Sequence, residues 1–163
     1  MKLRLATAND LKDIMTIINQ AKAYFKAQGI NQWQDGYPNE ISIINDMQRK
    51  EAYVLEDNDE VLATVMISTA GESNYNYIEG KWLQDGNYIV IHRIAIREDQ
   101  KGKGLAKIIL DEASKLFDLP SIRIDTHEDN QSMQRFLTKY GFSYCGVIYI
   151  ETKESRLAFE KIL

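Results

Sequence analysis

The feature that most constrains the fold is an apolar strand that continues through a glycine-containing loop into a helix and a further strand. Residues 87–97 are apolar on both faces of an extended chain, which is typical of a central strand. The loop at 101–104 opens a helix over 102–117, and Pro120 ends that helix before a strand over 121–125. Two strands joined by a helix in this way run parallel and lie next to each other.

Hydrophobic periodicity assigns the other elements of the chain. Helices are predicted from Leu11 to Phe25, over about 40–50 and from Asn130 to Tyr140. Strands are predicted over 2–6, 52–56, 61–68, 144–150 and 157–163. The segment 69–86 has no clear period, and a loop of that length is often a binding loop or a lid. The element order β-α-α-β-β-β-α-β-α-β-β indicates an α/β fold with a mixed sheet.

Composition and charge exclude several classes of protein. The 163 residues are 44% hydrophobic and 27% charged, which indicates a globular chain with one domain over 1–163. The net charge of −4 disfavours nucleic acid or an anionic membrane as a partner, because both require a basic surface. No apolar run is long enough for a signal peptide or a membrane span. The single cysteine, Cys145, excludes an intramolecular disulfide and a cysteine-based zinc cluster, so we expect a cytoplasmic protein without a metal.

The glycine loop between strand and helix predicts an anion site. Glycine lets the backbone approach a ligand closely, and the free N–H groups of a helix's first turn attract phosphate or pyrophosphate. Lys101, Lys103 and Lys107 add positive charge around the same turn. The alternative is that the glycines serve only a tight turn. Two nucleotide motifs are excluded, since a dinucleotide fingerprint needs a glycine where Lys107 stands and the P-loop pattern is absent.

Three short motifs occur together at fixed spacings in the second half of the chain. They are Ile94-Ala95-Ile96-Arg97, then Lys101-Gly102-Lys103-Gly104-Leu105-Ala106, and Asn130 through Phe136 followed by Tyr140-Gly141-Phe142. In this combination the sequence resembles the GNAT-type N-acetyltransferases over essentially its whole length, with Lys101 where the family usually has Arg or Gln. The resemblance implies a GNAT-type fold, with a mixed, mostly antiparallel central sheet, a splayed parallel strand pair and about four flanking helices.

The resemblance also implies acetyl-CoA as the donor. Residues 102–107 would hold its pyrophosphate, and the strand edge at 94–96 would pair with the pantetheine amides and place a backbone N–H against the thioester carbonyl. Side chains at the start of the helix near 130 would contact the pantetheine arm, which would enter between the splayed strands. The residues implied at the donor site are Ile94, Ala95, Ile96, Lys101, Gly102, Lys103, Gly104, Leu105, Ala106, Lys107, Asn130, Met133 and Phe136.

Acetyl transfer requires a neutral amine, and an amine with a pKa near ~10 is neutral in only about one molecule in a thousand at pH 7. A base acting directly or through water, or a desolvating pocket, would correct this. His92 is the preferred base, because it lies on the central strand and shares a face with Ile94 unless a bulge intervenes. Some members that acetylate arylalkylamines have a histidine at this strand position. His127 is a second candidate, and the alternative roles are a hydrogen bond in the sheet for His92 and helix capping for His127.

The acid that would protonate the leaving thiolate departs from the family pattern. Relatives commonly carry a tyrosine where this sequence has Leu137. Tyr140 lies one helical turn further on and reaches the same region, although a tyrosine there also suits the core. Otherwise the thiolate leaves without a side-chain acid, or Tyr144 or Tyr149 serves. Cys145 is expected to pack rather than to act as an acyl nucleophile.

The loop at 29–40 and the segment 69–86 are the variable connections over the implied site, so we expect them to select the acceptor. An aromatic wall for a cationic or aromatic amine is predicted from Trp33, Tyr37, Tyr75, Tyr77 and Trp82. Residues 51–100 carry three basic and ten acidic side chains, a sum of −7, which would attract a cation. The alternatives are aromatic residues that pack the loops or form a dimer contact, and an acidic surface that is simply solvated.

We therefore predict an acetyl-CoA-dependent N-acetyltransferase that transfers the acetyl group directly to the primary amine of a small molecule or a peptide. A homodimer is a candidate assembly. The first alternative is a non-catalytic acyl-CoA-binding regulatory module, which Leu137 favours. The second is an unrelated α/β nucleotide-binding protein, which the two failed motifs disfavour.

Overall fold

The seven predicted strands and four predicted helices form in the predicted order, and one short strand is added. The structure, a computed structural model, describes every residue from Met1 to Leu163. The helices are α1 (Leu11–Ala27), α2 (Glu40–Gln48), α3 (Leu105–Leu116) and α4 (Gln131–Lys139). The strands are β1 (Lys2–Leu5), β2 (Ala52–Asp57), β3 (Glu60–Ser68), β4 (Glu79–Gly80), β5 (Ile89–Ile96), β6 (Ser121–Thr126), β7 (Ser143–Tyr149) and β8 (Ser155–Ile162). The added strand, β4, lies in the segment 69–86, where the sequence has no clear period.

The strands form one mixed sheet in the order β1-β2-β3-β5-β6-β8-β7-β4. The pairs β1–β2, β2–β3, β4–β7, β6–β8 and β7–β8 are antiparallel. β5 and β6 run parallel, and their register joins Ile89 to Ile122 and Val90 to Arg123. The predicted parallel neighbours and the mostly antiparallel sheet are therefore confirmed. No helix combines the length and apolar character that crossing a membrane requires.

The residues group into two compact units, of which the first is Met1–Ile67 with His92–Ala113. Helix α1 has apolar residues at helical spacing, and this face packs into the core of the unit. The buried members of that core are Ile14, Ile17, Ile18, Ile43, Val54, Val61 and Ala95. Helix α2 begins with a capping box, in which Asn39 Oδ1 accepts from the Ser42 N–H and Ser42 Oγ accepts from the Asn39 N–H, both at 3.0 Å. These bonds fix the start of α2 in the unit.

The carboxylate of Asp10 joins β1 to the start of α1. It accepts from Arg4 Nη1 at 2.8 Å, from Arg4 Nη2 at 3.0 Å and from the Thr7 N–H at 2.7 Å, and the side chain is 8% exposed. The bonds from Arg4 and then from Thr7 outweigh burial and lower the pKa of Asp10 from 3.8 to about 2. The charged form of Asp10 therefore stabilises the folded chain.

We expect Asp10→Asn to lower the free energy of unfolding by about 2 kcal/mol at pH 7, since each pKa unit corresponds to roughly 1.4 kcal/mol. Because the pKa of Asp10 is lower in the folded state than in the unfolded chain, the contribution is complete above about pH 4 and is lost as the pH falls through about 2. Urea unfolding measures it, and about half of the difference between wild type and variant should be gone at pH 3. An equal difference at pH 7 and pH 3 would contradict this role of the carboxylate.

The second unit is Ser68–Ile91 with Ser114–Leu163. Its core includes Tyr75, Val90, Ile148 and Ala158. Tyr75 is 2% exposed, and its hydroxyl donates to Asp125 Oδ2 at 2.6 Å. Burial, and then the negative charge of Asp125, raise the pKa of Tyr75 well above its ordinary value. The phenol therefore stays protonated and remains a donor to Asp125.

A buried carboxylate on β8 organises the polar interior of this unit. Glu160 is fully buried and accepts hydrogen bonds from Ser121 Oγ at 2.6 Å, Arg123 Nε at 3.0 Å and the Leu83 N–H at 2.6 Å. Gln84 Nε2 adds a fourth bond at 3.2 Å. Burial alone would raise the pKa of Glu160, but the bonds from Ser121, Arg123 and Leu83 lower it. The carboxylate is therefore held in its charged form.

The guanidinium of Arg123 is enclosed between two aromatic rings. Its Cζ lies 4.2 Å from the centroid of the Trp82 ring and 3.9 Å from that of Tyr88, and Nη2 donates to the Gln84 carbonyl at 2.6 Å. Together with Glu160, Arg123 fastens residues 82–88 to β6 and β8. Trp82 thus packs within the second unit, where the sequence predicted a residue of a binding loop or lid.

Strand β4 covers the end of the sheet with only two residues. It pairs Glu79 with Val147 and Gly80 with Gly146 on β7. A Cβ at Gly80 would overlap the Cys145 carbonyl oxygen, and a Cβ at Gly146 would overlap the Glu79 carbonyl oxygen. Only glycine permits this approach of the two backbones. The opposite edge strand, β1, has four residues.

Candidate functional site

A tight turn at Gly102 and Gly104 leads into the N-terminus of α3. The two glycines have φ values of +77° and +78°, and a Cβ placed on either would meet no atom within 4 Å. The first helical hydrogen bond joins the Ile108 N–H to the Gly104 carbonyl at 3.3 Å, so the N–H groups before it have no partner within the helix. The turn therefore presents backbone donors and the positive end of a helix dipole to open space, which is what a phosphate group requires.

The three lysines near this turn are exposed, but each has a polar neighbour. The neighbours are Glu98 for Lys101, Gln100 for Lys103 and Asp111 for Lys107. Two of the three ammonium groups are thus paired with carboxylates, which reduces the positive charge that the sequence predicts here. Leu105 is 2% exposed and packs inward, so it offers a ligand only its backbone. An anion at this turn would therefore depend mainly on the backbone N–H groups.

Strand β5 is irregular at Arg93, and we call this irregularity the bulge of β5. This residue has φ +51°, in the left-handed region, inside an otherwise extended strand. The side chains of His92, Arg93 and Ile94 are all half-buried, so the alternation of buried and exposed faces is lost at this point. The sequence places His92 and Ile94 on one face only if no bulge intervenes, and the bulge removes that inference. It also turns the backbone groups on either side of Arg93 in new directions.

The side chain of Arg93 is bound to a buried carboxylate on α2. Nε donates to Asp46 Oδ2 at 2.8 Å and Nη2 donates to Oδ1 at 2.7 Å, while Nη1 donates to the Tyr37 hydroxyl. The Asp46 side chain is 2% exposed, and Arg49 Nη2 donates to its Oδ1 at 2.7 Å. Burial raises the pKa of Asp46, and the charge of Arg93 acts against that rise. Two arginines therefore share one buried carboxylate beside the bulge.

An open cavity of about 360 Å³ lies over this arginine pair in the first unit. It is lined by both polar and apolar surface, from Tyr37, Asn39, Ile41, Ser42, Asn45, Asp46, Arg49 and Arg93. The Tyr37 ring is 42% exposed, and the Arg93 guanidinium lies 5.8 Å from its centroid. Of the residues predicted to contact the acceptor, Tyr37 is the one that lines this cavity.

The two histidines have different surroundings. His92 is half-buried at the bulge of β5. His127 Nδ1 accepts from the Asp129 N–H at 3.0 Å and lies 3.8 Å from the Asp129 carboxylate, in the turn before α4. The His127 ring thus serves the turn that leads into the helix, close to the capping role that the sequence offers as its alternative.

The residues on α4 that the resemblance assigns to the donor lie at the start and on one face of the helix. Asn130 is 4% exposed and caps the helix by accepting from the Met133 N–H at 3.2 Å. The Phe136 ring packs on the Tyr140 ring with 4.7 Å between centroids. Leu137 is fully buried. The position at which the resemblance implies a proton-donating tyrosine is therefore part of the core in this chain.

The aromatic residues predicted for the acceptor do not share one role. Trp33 packs edge-on against Phe25 with 5.5 Å between centroids, in the first unit. In the second unit Trp82 packs on Tyr75 at 5.1 Å, whereas Tyr77 is 65% exposed. Tyr37 and Tyr77 therefore offer accessible rings, and the rings of Trp33 and Trp82 already have aromatic partners.

Sequence reasoning missed Asp46 and Arg93. Each breaks an apolar pattern, Asp46 beside Ile43 and Met47 on the buried side of α2 and Arg93 inside the apolar run of β5. Charged residues in such positions are signals that a partner must exist. Cys145 is buried, and burial raises the pKa of its thiol, which suits a packed residue. No group of three or more His, Cys, Asp and Glu side chains is placed to hold a metal ion.

Known proteins with this sequence pattern and fold identify the family. A family model described as the acetyltransferase (GNAT) family matches residues 14–142. A GNAT-family acetyltransferase from Streptococcus agalactiae is 37% identical, with a TM-score of 0.92 over 99% of this chain and 95% of that one. The chain belongs to the GNAT acetyltransferase family. No protein of curated function matches its sequence.

Two further solved structures share the GNAT fold at lower identity. A GNAT-family acetyltransferase from Listeria monocytogenes is 20% identical, with a TM-score of 0.76 over 99% of this chain and 94% of that one. A PaiA N-acetyltransferase from Thermoplasma acidophilum, solved in complex with coenzyme A, is 16% identical, with a TM-score of 0.71 over 99% and 98%. The predicted GNAT-type fold and the assignment as an acetyltransferase are therefore confirmed.

Proposed function

We propose that this GNAT acetyltransferase transfers the acetyl group of acetyl-CoA to the primary amine of a small molecule or a peptide, within a single domain over 1–163. The observation that carries the proposal is the open glycine turn at the N-terminus of α3, in a chain of this family. The cytoplasmic location and a homodimer remain predictions. Acetyl-CoA supplies the activated acyl group, and the residues of the chain bind it, orient it and move protons.

The donor's pyrophosphate is assigned to residues 101–107. The space beside Gly102 and Gly104 is large enough for a ligand to reach the backbone, since a Cβ there would meet nothing within 4 Å. Donation from backbone N–H groups does not depend on side-chain length, so Lys101 in place of Arg or Gln is compatible with this role. Asn130, Met133 and Phe136 stay candidates for the pantetheine arm.

The thioester is assigned to the edge of β5 at 94–96. Ala95 is 5% exposed and belongs to the core of the first unit, so its contribution to a ligand is its backbone alone. The positive φ at Arg93 interrupts the extended backbone just before Ile94, which favours the Ile94 N–H as the donor to the oxyanion that develops on the carbonyl. Ile94 and Ile96 are half-buried and flank that backbone.

His92 is the proposed base that deprotonates the amine, directly or through a water molecule. It precedes Arg93 on β5 and is half-buried. His127 Nδ1 accepts from the Asp129 N–H, a bond that belongs to the turn before α4. Tyr140 stays the candidate acid. Tyr140 packs on Phe136, and a hydrogen bond with Glu79 raises the pKa of Tyr149, which weakens Tyr149 as a proton donor.

The acceptor is assigned to the side of the enzyme that carries Tyr37. Its exposed ring and the polar side chains in the cavity over Arg93, such as Asn39 and Asn45, suit an amine whose other end bears hydrogen-bonding groups. Trp33, Tyr77 and Trp82 stay candidates, with Tyr77 the most accessible of them. The sum of −7 over residues 51–100 supports an acceptor that arrives as a cation.

Binding and turnover test this function together. We expect calorimetric titration to show micromolar binding of acetyl-CoA and none of NAD or ATP, and an amine panel read by thiol release to show turnover. We expect His92→Ala to lower kcat/KM with the best amine by about 100-fold at pH 7, the effect of losing a general base. The loss should shrink as the pH approaches the pKa of the amine, because the neutral amine then needs no base.

Three outcomes would redirect the proposal. If His127→Ala carries the loss and His92→Ala does not, His127 is the base. If acetyl-CoA binds but no amine is acetylated, the chain is the regulatory acyl-CoA module that the buried Leu137 favours. If acetyl-CoA does not bind, the donor assignment at residues 101–107 is wrong.

A further inference from the structure

Arg93 adopts a backbone conformation that L-amino acids rarely occupy. A non-glycine residue at φ +51° is strained by about 1–2 kcal/mol, and it persists only where the surrounding structure enforces it. The residues on either side are the proposed base, His92, and the proposed oxyanion donor, Ile94. The direction of both groups therefore depends on the conformation of Arg93.

The Arg93 side chain is bound to Asp46 by a pair of hydrogen bonds. The Nε and Nη2 donors meet the two carboxylate oxygens at 2.8 Å and 2.7 Å, a planar fork that fixes the guanidinium in both position and orientation. Both side chains are shielded from water, at 11% and 2% exposure. A lysine could not make the same contact, because its ammonium group lacks the fork.

Asp46 is itself held firmly on α2. Arg49 Nη2 donates to Oδ1 at 2.7 Å from the last turn of the helix, and the Asn39–Ser42 box fixes the other end. A buried ion pair contributes little to stability on balance, because the desolvation of both charges offsets their attraction. Its placement at a strained residue between two reacting groups therefore suggests a geometric role.

We propose that Asp46 is a positioning residue for acetyl transfer, which holds Arg93 in its left-handed conformation and thereby directs His92 and the Ile94 N–H. This inference rests on the proposed function. It adds a residue that acts through the backbone of β5.

Two variants test, through kcat, the contact by which Asp46 holds Arg93, which we call the clamp. Asp46→Asn replaces one acceptor by a donor, so the fork breaks, and we expect kcat to fall about 100-fold with little change in the KM for acetyl-CoA. Asp10→Asn is the matched control, since Asp10 is also a buried carboxylate held by an arginine in the first unit, and we expect it to lose stability but keep the wild-type kcat. An unchanged kcat in Asp46→Asn would overturn the inference.

A second pair of variants separates backbone geometry from stability. Arg93→Gly and Arg93→Ala both remove the fork, but only glycine occupies positive φ without strain. We expect the glycine variant to retain at least about ten times the kcat of the alanine variant. Equal kcat values would overturn the clamp, also in the case where Asp46→Asn does not fold.

The failure of the proposed function is distinguishable from the failure of this inference. If the wild type acetylates no amine, the proposed function is wrong. The clamp is then tested by NMR, through the three-bond HN–Hα coupling of Arg93, which reports its φ. We expect the coupling in Asp46→Asn to leave its wild-type value. A coupling that stays unchanged in that variant would overturn the clamp whatever the activity.

Discussion

Replacing Glu160 by alanine should lower the free energy of unfolding by about 4 kcal/mol, a large part of the ~5–15 kcal/mol that holds a domain together. The change removes the acceptor of four hydrogen bonds and leaves Arg123, whose side chain is 6% exposed, as a buried charge without its carboxylate. Breaking a buried pair costs more than the pair contributes, because the remaining charge keeps its desolvation penalty. Urea unfolding followed by circular dichroism measures the loss.

A matched control is Glu154→Ala, which removes an exposed partner of Arg156 in the same unit. We expect that variant to lose less than about 1 kcal/mol, as exposed pairs do. Glu160→Ala should also release residues 82–88, so trypsin should cleave after Lys81 faster than in wild type. A loss below about 1 kcal/mol for Glu160→Ala would show that the network does not stabilise this unit.

Replacing Gly104 by valine should raise the Kd for acetyl-CoA at least about 100-fold. A β-branched residue at φ +78° is strained, and its methyl groups would fill the open space beside the turn. The backbone N–H groups of α3 would then be screened from a phosphate group. Calorimetric titration with acetyl-CoA measures the change directly.

Gly29→Val is the control that separates the loss of the anion site from the effect of backbone strain alone. Gly29 lies past the C-terminus of α1 at φ +69°, and a Cβ there also meets nothing within 4 Å. The two variants should therefore lose similar amounts of stability, but Gly29→Val should keep the wild-type Kd. If Gly104→Val binds acetyl-CoA as tightly as wild type does, the pyrophosphate is bound elsewhere.

Local patterns predicted the elements well because their causes are local. The apolar spacing of α1, the turn at Gly102 and Gly104 and the double-sided apolarity of β5 are each written within about 20 residues of sequence. The parallel pairing of β5 with β6 follows from the short helical connection between them, since such a crossover is almost always right-handed. The family motifs add the expectation that this turn binds the donor, and the structure shows the open space beside its two glycines.

The contacts that define the candidate site and the buried polar network around Glu160 depend on distant residues and could not be predicted in this way. Arg93 meets Asp46 across 47 positions and Leu83 meets Glu160 across 77, so no sequence window contains both partners. The positive φ at Arg93 is also invisible in sequence, because arginine is not a residue that favours it. We attribute it to the contact with Asp46. The brief strand β4 was missed because two residues carry no period.

The two ends of the sheet bear on how the protein behaves at high concentration. A long, flat edge strand offers free N–H and C=O groups to another chain, and that is how sheets join into aggregates and fibres. Here the seven-residue β7 is partly covered by β4, whose close glycine contact leaves no room for a side chain between the strands. At the other end β1 offers only four residues, two of them the cations Lys2 and Arg4. The architecture thus guards against edge-to-edge polymerisation with two very short strands, and Gly80 and Gly146 are part of that protection.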